Sequence, residues 1–295
     1  MISYPIYRGM AAMLLAVILY SLSDALIKWL AETYHPMQIV FCRLFFTWLP
    51  LGRGVLQKTS WQSLKSDKKS SQALRAVIMA LSLPFYFYAF KNLPLADVYA
   101  VAYVAPLLMA IFSIPILGEK VEKHAWIAIF MGFFGVLIMM RPGSIIFSLG
   151  GFSALVGALL WALALVMGRK LSQTESQFSL TLWFLGACFL MSVIFIPFCW
   201  QTPSLSDWMF FAASGVLGGS ALLAITYAFS MAPISIIGPL DYLILVFGAL
   251  FGYLLWGDIP DAFVIIGALI LVSSGLYLIY KEAQGKPLIF FPIVE

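Results

Sequence analysis

Two stretches of this chain carry the same landmarks 139 positions apart, and both lie in apolar runs long enough to cross a bilayer. Leu93-Pro94, Tyr103 and Gly118-Glu119 in the first correspond to Ala232-Pro233, Tyr242 and Gly257-Asp258 in the second. A weaker correspondence at an offset of 141 joins Gly9, Leu19, Tyr20 and Lys28 to Gly150, Leu160, Trp161 and Arg169. Self-similarity of this kind means that one supersecondary unit is used twice.

The unit is a membrane unit. Apolar residues make up 63% of the chain and charged residues 10%, against roughly 45 to 50% and about 25% in soluble domains. A helix needs roughly 20 mainly apolar residues to cross about 30 Å of hydrocarbon. The chain offers ten such spans, at 9–27, 37–55, 73–90, 98–117, 124–140, 150–167, 178–200, 208–229, 234–256 and 262–280. A membrane β-barrel would show short segments alternating apolar and polar; runs such as 98–117 do not alternate. Hence the expected fold class is an all-α integral membrane protein with ten transmembrane helices. The first apolar stretch is long and no small-residue cleavage site follows it before Lys28, so it reads as a retained span. Cys42, Cys188 and Cys199 fall inside spans without a CxxC spacing, and two histidines, His35 and His124, are too few for a zinc site. Neither a metal nor another cofactor is expected.

Basic residues orient the spans. With the termini and the even-numbered connections on one side, that side holds thirteen Lys and Arg, six of them between Arg53 and Arg75. The other side holds three, Lys28, Lys91 and Arg141, while Arg43 lies within a span. The excess marks the cytoplasmic side, which places both termini there. Five spans per half is an odd number, so the second copy enters the membrane opposite to the first. The halves, 1–141 and 150–281, are therefore expected to be inverted repeats, followed by a short cytoplasmic tail at 282–295. Such pairs place a binding site near the midplane between the repeats and expose it to each side in turn.

The residues also carry a family resemblance along nearly the whole chain. The run from Tyr20 through Asp24 to Lys28, His35-Pro36 and Arg43-Leu44-Phe45-Phe46 resemble the opening of the EamA branch of the drug/metabolite transporter superfamily. Leu93 to Asp97, Pro106-Leu107, Leu117 to Lys120 and Gly135-Val136 resemble that family's fourth and fifth spans, and the pattern recurs from Ala232 to Asp258. The resemblance implies a 5+5 inverted topology around a central cavity and secondary transport of a small metabolite or drug across the bacterial inner membrane by alternating access. Within the family, Ala73 to Ala76, Phe85 to Tyr88, Pro239 to Tyr242 and Gly252-Tyr253 look like members that take up S-adenosylmethionine, although a glycine usual after the arginine is Ala76 here. An exporter of amino acids, metabolites or drugs is the alternative. Pro106 has Leu245 as its repeat equivalent, so span 4 is expected to kink where span 9 does not.

A charge inside a bilayer costs about 2.5 to 3.5 kcal/mol on insertion scales, so each needs a reason. Asp24 and Arg43 both fall in the outer third by residue rise and are within pairing reach. Two readings stand open: a structural salt bridge between neighbouring helices, or a site in which Asp24 meets a substrate cation or coupling proton. Lys28 reads as a side chain extending to the interface. Asp241 is either a helix-entry residue near the cytoplasmic face or a second acid facing the substrate. Tyr20, Tyr86, Tyr88, Tyr103, Trp161, Tyr227 and Tyr242 lie within spans, where rings pack against neighbours or line the cavity. Tyr20 matching Trp161 and Tyr103 matching Tyr242 favour convergence on one cavity. Pro84 and Pro106 are candidate hinges. Gly215-x-x-x-Gly219 and Gly248-x-x-x-Gly252 are spacings that let helices approach.

Two other classes fit less well. An intramembrane enzyme would show clustered histidines and acids or a nucleophile beside a base, and a non-transporting scaffold would leave the buried acids without a role. Basic residues spread along short connections do not make a nucleic-acid face. The expected partners are a small-molecule substrate and lipid, in a monomer or homodimer.

Overall fold

A computed structural model describes residues 4–58, 68–118, 123–140, 147–231 and 240–285; the repeat landmarks Glu119 and Ala232-Pro233, and most of the 282–295 tail, lie outside them. The described residues form helices and no strand, as backbone without access to water requires when every N–H and C=O must be paired within its own segment. In chain order they are α1 (Tyr4–Thr33), α2 (Pro36–Lys58), α3 (Lys69–Asn92), α4 (Leu95–Ala102), α5 (Ala105–Leu117), α6 (Lys123–Met139), α7 (Leu149–Leu171), α8 (Gln177–Cys199), α9 (Leu205–Met231), α10 (Leu243–Trp256) and α11 (Ala262–Gly285). Six stretches are long and apolar enough to cross a membrane, one of them α4 and α5 taken together, and four shorter apolar helices accompany them. Large apolar side chains cover their outer faces, among them Phe130 and Phe134 of α6 and Leu190, Ile194 and Phe198 of α8. This is a multi-pass membrane protein.

The sequence repeat is also a repeat of local conformation. Gly118 ends α5 at φ 72° and Gly257 ends α10 at φ 70°, the two positive-φ positions among the described residues. Glycine enters this left-handed region without the steric penalty a Cβ would bring, which suits it to the end of a helix. After Gly257, the Asp258 N–H donates to the Gly252 carbonyl and turns the chain back on the helix. Tyr103 sits at the interruption between α4 and α5 (φ −69°, ψ 0°) and Tyr242 at the start of α10 (φ −63°, ψ −16°). Both places show i→i−3 hydrogen bonds, Val104 N–H to Val101 and Leu245 N–H to Tyr242. Span 9 is thus interrupted at the register of span 4, contrary to the expectation drawn from Leu245. A proline is sufficient to loosen a helix but not necessary; here a half-buried tyrosine, packed between the Tyr103 ring and Gly275, occupies the turn.

The closest helix pairings, α1 with α9, α3 with α7, α6 with α11 and α2 with α9, each join a helix before residue 140 to one after residue 148. The two sequence halves share one core. Lipid is as apolar as leucine, so such contacts rest on close packing, which small residues permit. A Cβ at Gly135 of α6 would lie 2.8 Å from the Gly267 carbonyl of α11. A Cβ at Gly215 of α9 would lie 2.7 Å from the Phe46 Cβ of α2, in keeping with the packing role expected of its spacing. α3 runs unbroken through Pro84.

Candidate functional site

Tyr20, Asp24 and Lys28 recur every fourth residue and so share one stripe of α1. The phenol of Tyr99, on α4, donates to Asp24 Oδ2 at 2.8 Å. Tyr99 is itself seated against Gly248 of α10, where any Cβ would collide with its ring. One residue before Asp24, Ser23 Oγ donates to the Ser214 carbonyl of α9 at 3.0 Å, which fixes the rotation of α1 against its main neighbour.

Arg43 reaches the same region from α2. Its guanidinium lies 5.8 Å from the centre of the Phe87 ring of α3 and occupies the space that a side chain at Gly218 of α9 would fill. Asp24, Tyr20 and the Cys188 thiol of α8 lie within range of its charge. No contact ion pair forms between Asp24 and Arg43, and the guanidinium makes no hydrogen bond to the described residues. The structural salt bridge left open by the sequence is therefore not the arrangement found. The two charges lie within range of each other without a contact pair, each half-buried.

A second polar group meets the first. The rings of Tyr103 and Tyr242 lie 4.7 Å apart, 32° from parallel. The Tyr103 hydroxyl donates to the Asp241 carbonyl at 2.6 Å and stands 3.2 Å from its Oδ2. Tyr103 follows Leu95 by eight residues, a depth of about 12 Å, so Asp241 lies well inside the bundle and is not a helix-entry residue. Tyr242 is accommodated by Gly275 of α11, which a Cβ would drive into its hydroxyl. Tyr20 is within charge range of Arg43, Asp24 and Asp241 and links the two groups.

The remaining aromatics divide. Tyr86 packs its ring face on Gly157 of α7, and Trp161 lies one turn beyond Gly157, half-buried against the core. Tyr88 and Tyr227 are 39% and 42% exposed and are not brought to the polar group. At 100° per residue Tyr88 points about 160° from Tyr86, and Tyr227 about 180° from Gly218, so both turn away from the faces that carry the site. Pro106 occupies the first turn of α5, directly after the interruption at Tyr103, whereas the helix around Pro84 is continuous.

Polar contacts also close both ends of the bundle. At the end where α1 meets α2, Lys28 Nζ pairs with Asp258 Oδ2 at 2.7 Å and sits 4.7 Å from the Trp256 ring centre. Lys28 is 7% exposed; instead of extending to the interface it is captured by the carboxylate that the left-handed turn at Gly257 directs back. Trp256 Nε1 donates to Glu32 at 3.0 Å, Tyr34 to Asp207 at 2.7 Å, and Gln38 exchanges two hydrogen bonds with the backbone of Gln201. Burial, and next the nearby Lys91, hold the His35 imidazole below its usual pKa, so it is neutral at pH 7. At the opposite end Gln72 donates to Glu175 and Ser179, and Arg75, counted above among the loop charges, is buried and donates to the Leu180 carbonyl at 3.0 Å. Among the described residues no cluster of His, Cys, Asp or Glu could hold a metal ion.

Tyr99 and Gly218 were not singled out from the sequence, and Asp258 was read there only as a repeat landmark and not as a partner of Lys28. Tyr99 stands one turn before Tyr103, and Asp258 is the repeat counterpart of Glu119, so a signal existed for two of the three.

Comparison with known proteins fits this geometry. The profile of the EamA-like transporter family matches twice, at residues 7–141 and 148–281. The S-adenosylmethionine uptake transporter of Rickettsia prowazekii is 24% identical over 94% of each chain. The pseudopaline exporter CntI of Pseudomonas aeruginosa is 29% identical over 92% of this chain and 95% of its own, and the riboflavin transporter of Vibrio cholerae 27% identical over 76% of each. One solved crystal structure shares the fold, with a TM-score of 0.64 at 19% identity over 94% of this chain and 99% of that one.

Proposed function

The chain belongs to the EamA-like transporter family, and from that premise we propose that it is a secondary active transporter of a small polar organic metabolite, working by alternating access in the bacterial inner membrane. The observation that carries this reading is the polar group of Asp24, Arg43, Asp241, Tyr20, Tyr103 and Tyr242 inside an otherwise apolar bundle. Intramembrane charges facing the interior mark solute paths in general. Tyr86 and Trp161 line the same site from α3 and α7, with Tyr88 and Tyr227 outside it.

The finer architecture is part of the proposal. Ten spans form two inverted repeats, 1–141 and 150–281, with 282–295 as a cytoplasmic tail. The six long and four shorter apolar helices, the double family match and the paired turns at Tyr103 and Tyr242 support it. The Lys and Arg excess supports cytoplasmic termini, and the protein acts as a monomer or homodimer. The end closed by Lys28 and Asp258 then faces outward. The turn beside Pro106 and its counterpart at Tyr242 supply hinges, while continuous α3 moves through Pro84 as one piece.

S-adenosylmethionine is the leading substrate, on the strength of the uptake transporters among the relatives. Export of a metabolite is the second reading, since the pseudopaline exporter is the more identical relative. Uptake of radiolabelled S-adenosylmethionine into proteoliposomes, with unlabelled amino acids, riboflavin and nucleosides as competitors, separates them. Saturable uptake suppressed only by close analogues, and at least tenfold lower for Asp241→Asn, is the expected result. Absence of uptake under both a proton gradient and exchange conditions would remove this substrate.

A further inference from the structure

We propose that the solute held between Asp24, Arg43 and Asp241 is an α-amino acid carrying a second positive group, and that Arg43 clasps its carboxylate. The inference rests on the transporter reading and adds the chemistry of its cargo.

Arg43 is the starting point. Of the basic side chains buried in the bundle, Lys28 has Asp258 and Arg75 has the Leu180 carbonyl. Arg43 lies over the Phe87 ring and against the bare backbone of Gly218, with no acceptor among the described residues for any of its five N–H groups. A planar guanidinium with its fork open is the best protein match for a carboxylate, which it binds through two parallel hydrogen bonds. Gly218 keeps the space around it clear.

The acids supply the complement. Asp24 accepts a phenol hydrogen bond on Oδ2, the Tyr103 hydroxyl that donates to the Asp241 carbonyl stands 3.2 Å from Asp241 Oδ2, and neither Oδ1 takes a hydrogen bond from the described residues. Tyr20 lies within charge range of all three ionic groups. Among the described residues, the Cys188 thiol also lies within range of the Arg43 charge. Two carboxylates and one guanidinium leave a single negative charge to be met.

Solute classes can be ranked by what they leave unmatched. A simple anion satisfies Arg43 and repels both acids. An amine without a carboxylate leaves Arg43 open, and a neutral zwitterionic amino acid leaves one carboxylate open. A solute with one carboxylate and two positive centres leaves none. The tilted Tyr103 and Tyr242 rings beside Asp241 offer a π-face to the second cation or to a flat ring attached to it.

A charge-deletion series tests this. Displacement of radiolabelled S-adenosylmethionine from the purified full-length protein is measured with S-adenosylmethionine itself, its decarboxylated analogue and neutral S-adenosylhomocysteine. In the wild type, each deletion is expected to weaken binding at least tenfold. In Arg43→Gln the penalty for losing the carboxylate disappears while that for losing the sulfonium charge remains, and Arg43→Lys recovers part of the lost discrimination. Because each ratio is taken within one variant, a reduced folded yield does not affect it. Equal binding of the decarboxylated analogue by the wild type, or undiminished discrimination in Arg43→Gln, overturns the inference. Transport of riboflavin or a neutral amino acid at a rate indifferent to Arg43→Gln overturns it and leaves the transporter reading standing. A wild type that moves none of these solutes overturns the inference and removes S-adenosylmethionine as the substrate, while the transporter reading stands.

Discussion

Asp24→Asn is expected to reduce transport to the level of empty liposomes while leaving the folded yield unchanged. The asparagine keeps the shape and can still accept the hydrogen bond from Tyr99, so the contact between α1 and α4 survives. What is lost is the charge within range of Arg43 and, in the proposed site, of the solute. Removing one partner of a buried contact pair typically costs about 3 to 5 kcal/mol because the other is stranded. Asp24 and Arg43 are not in contact, so the cost here is expected nearer to about 1 kcal/mol, the ordinary range for a single substitution. Transport and melting temperature measured on the same preparation decide the matter. A collapse in yield or a fall of more than about 10 °C would return Asp24 to a structural role.

Joining α1 to the end of α10 is expected to stop transport reversibly. Lys28 and Asp258 are 230 residues apart and meet at 2.7 Å across the two halves, so in alternating access this contact must part whenever that end opens. Lys28→Cys with Asp258→Cys, in a background where Cys42, Cys188 and Cys199 are replaced by serine, can be bridged by a short reducible bis-thiol reagent. Loss of at least nine-tenths of uptake on bridging and its return on reduction are expected, with either single cysteine unaffected by the reagent. Uptake that continues through the bridged protein would mean that this end does not open.

The helices were legible because lipid leaves a chain little choice: long apolar runs become helices, and the repeat offset alone carries Tyr103 onto Tyr242. That pairing became a ring contact at 4.7 Å. Rotation about each helix axis was less legible. Hydropathy in a membrane helix does not distinguish a face toward lipid from one toward neighbours, so Tyr86 and Tyr88 looked equivalent although only Tyr86 faces inward. Depth is a sum over residues and is read easily. Lateral contact depends on how helices cross, which is why Asp24 and Arg43 could be placed at one level but not shown to stand apart.

Lys28 illustrates a different limit. Its reach was evident, but its partner depends on a left-handed glycine at the end of α10 that directs Asp258 inward. The interruption before α10 has no proline to mark it in the sequence: span 9 makes the same turn with a tyrosine seated against Gly275.

Counterflow of S-adenosylmethionine tests the central claim most directly, since it asks whether one site is presented to each side in turn. Proteoliposomes preloaded with unlabelled solute, and empty ones, are given a trace of label outside. The account predicts that label accumulates transiently above its external concentration only in preloaded vesicles, and that Asp24→Asn abolishes the overshoot. Equal entry into loaded and empty vesicles without an overshoot would contradict alternating access through this site.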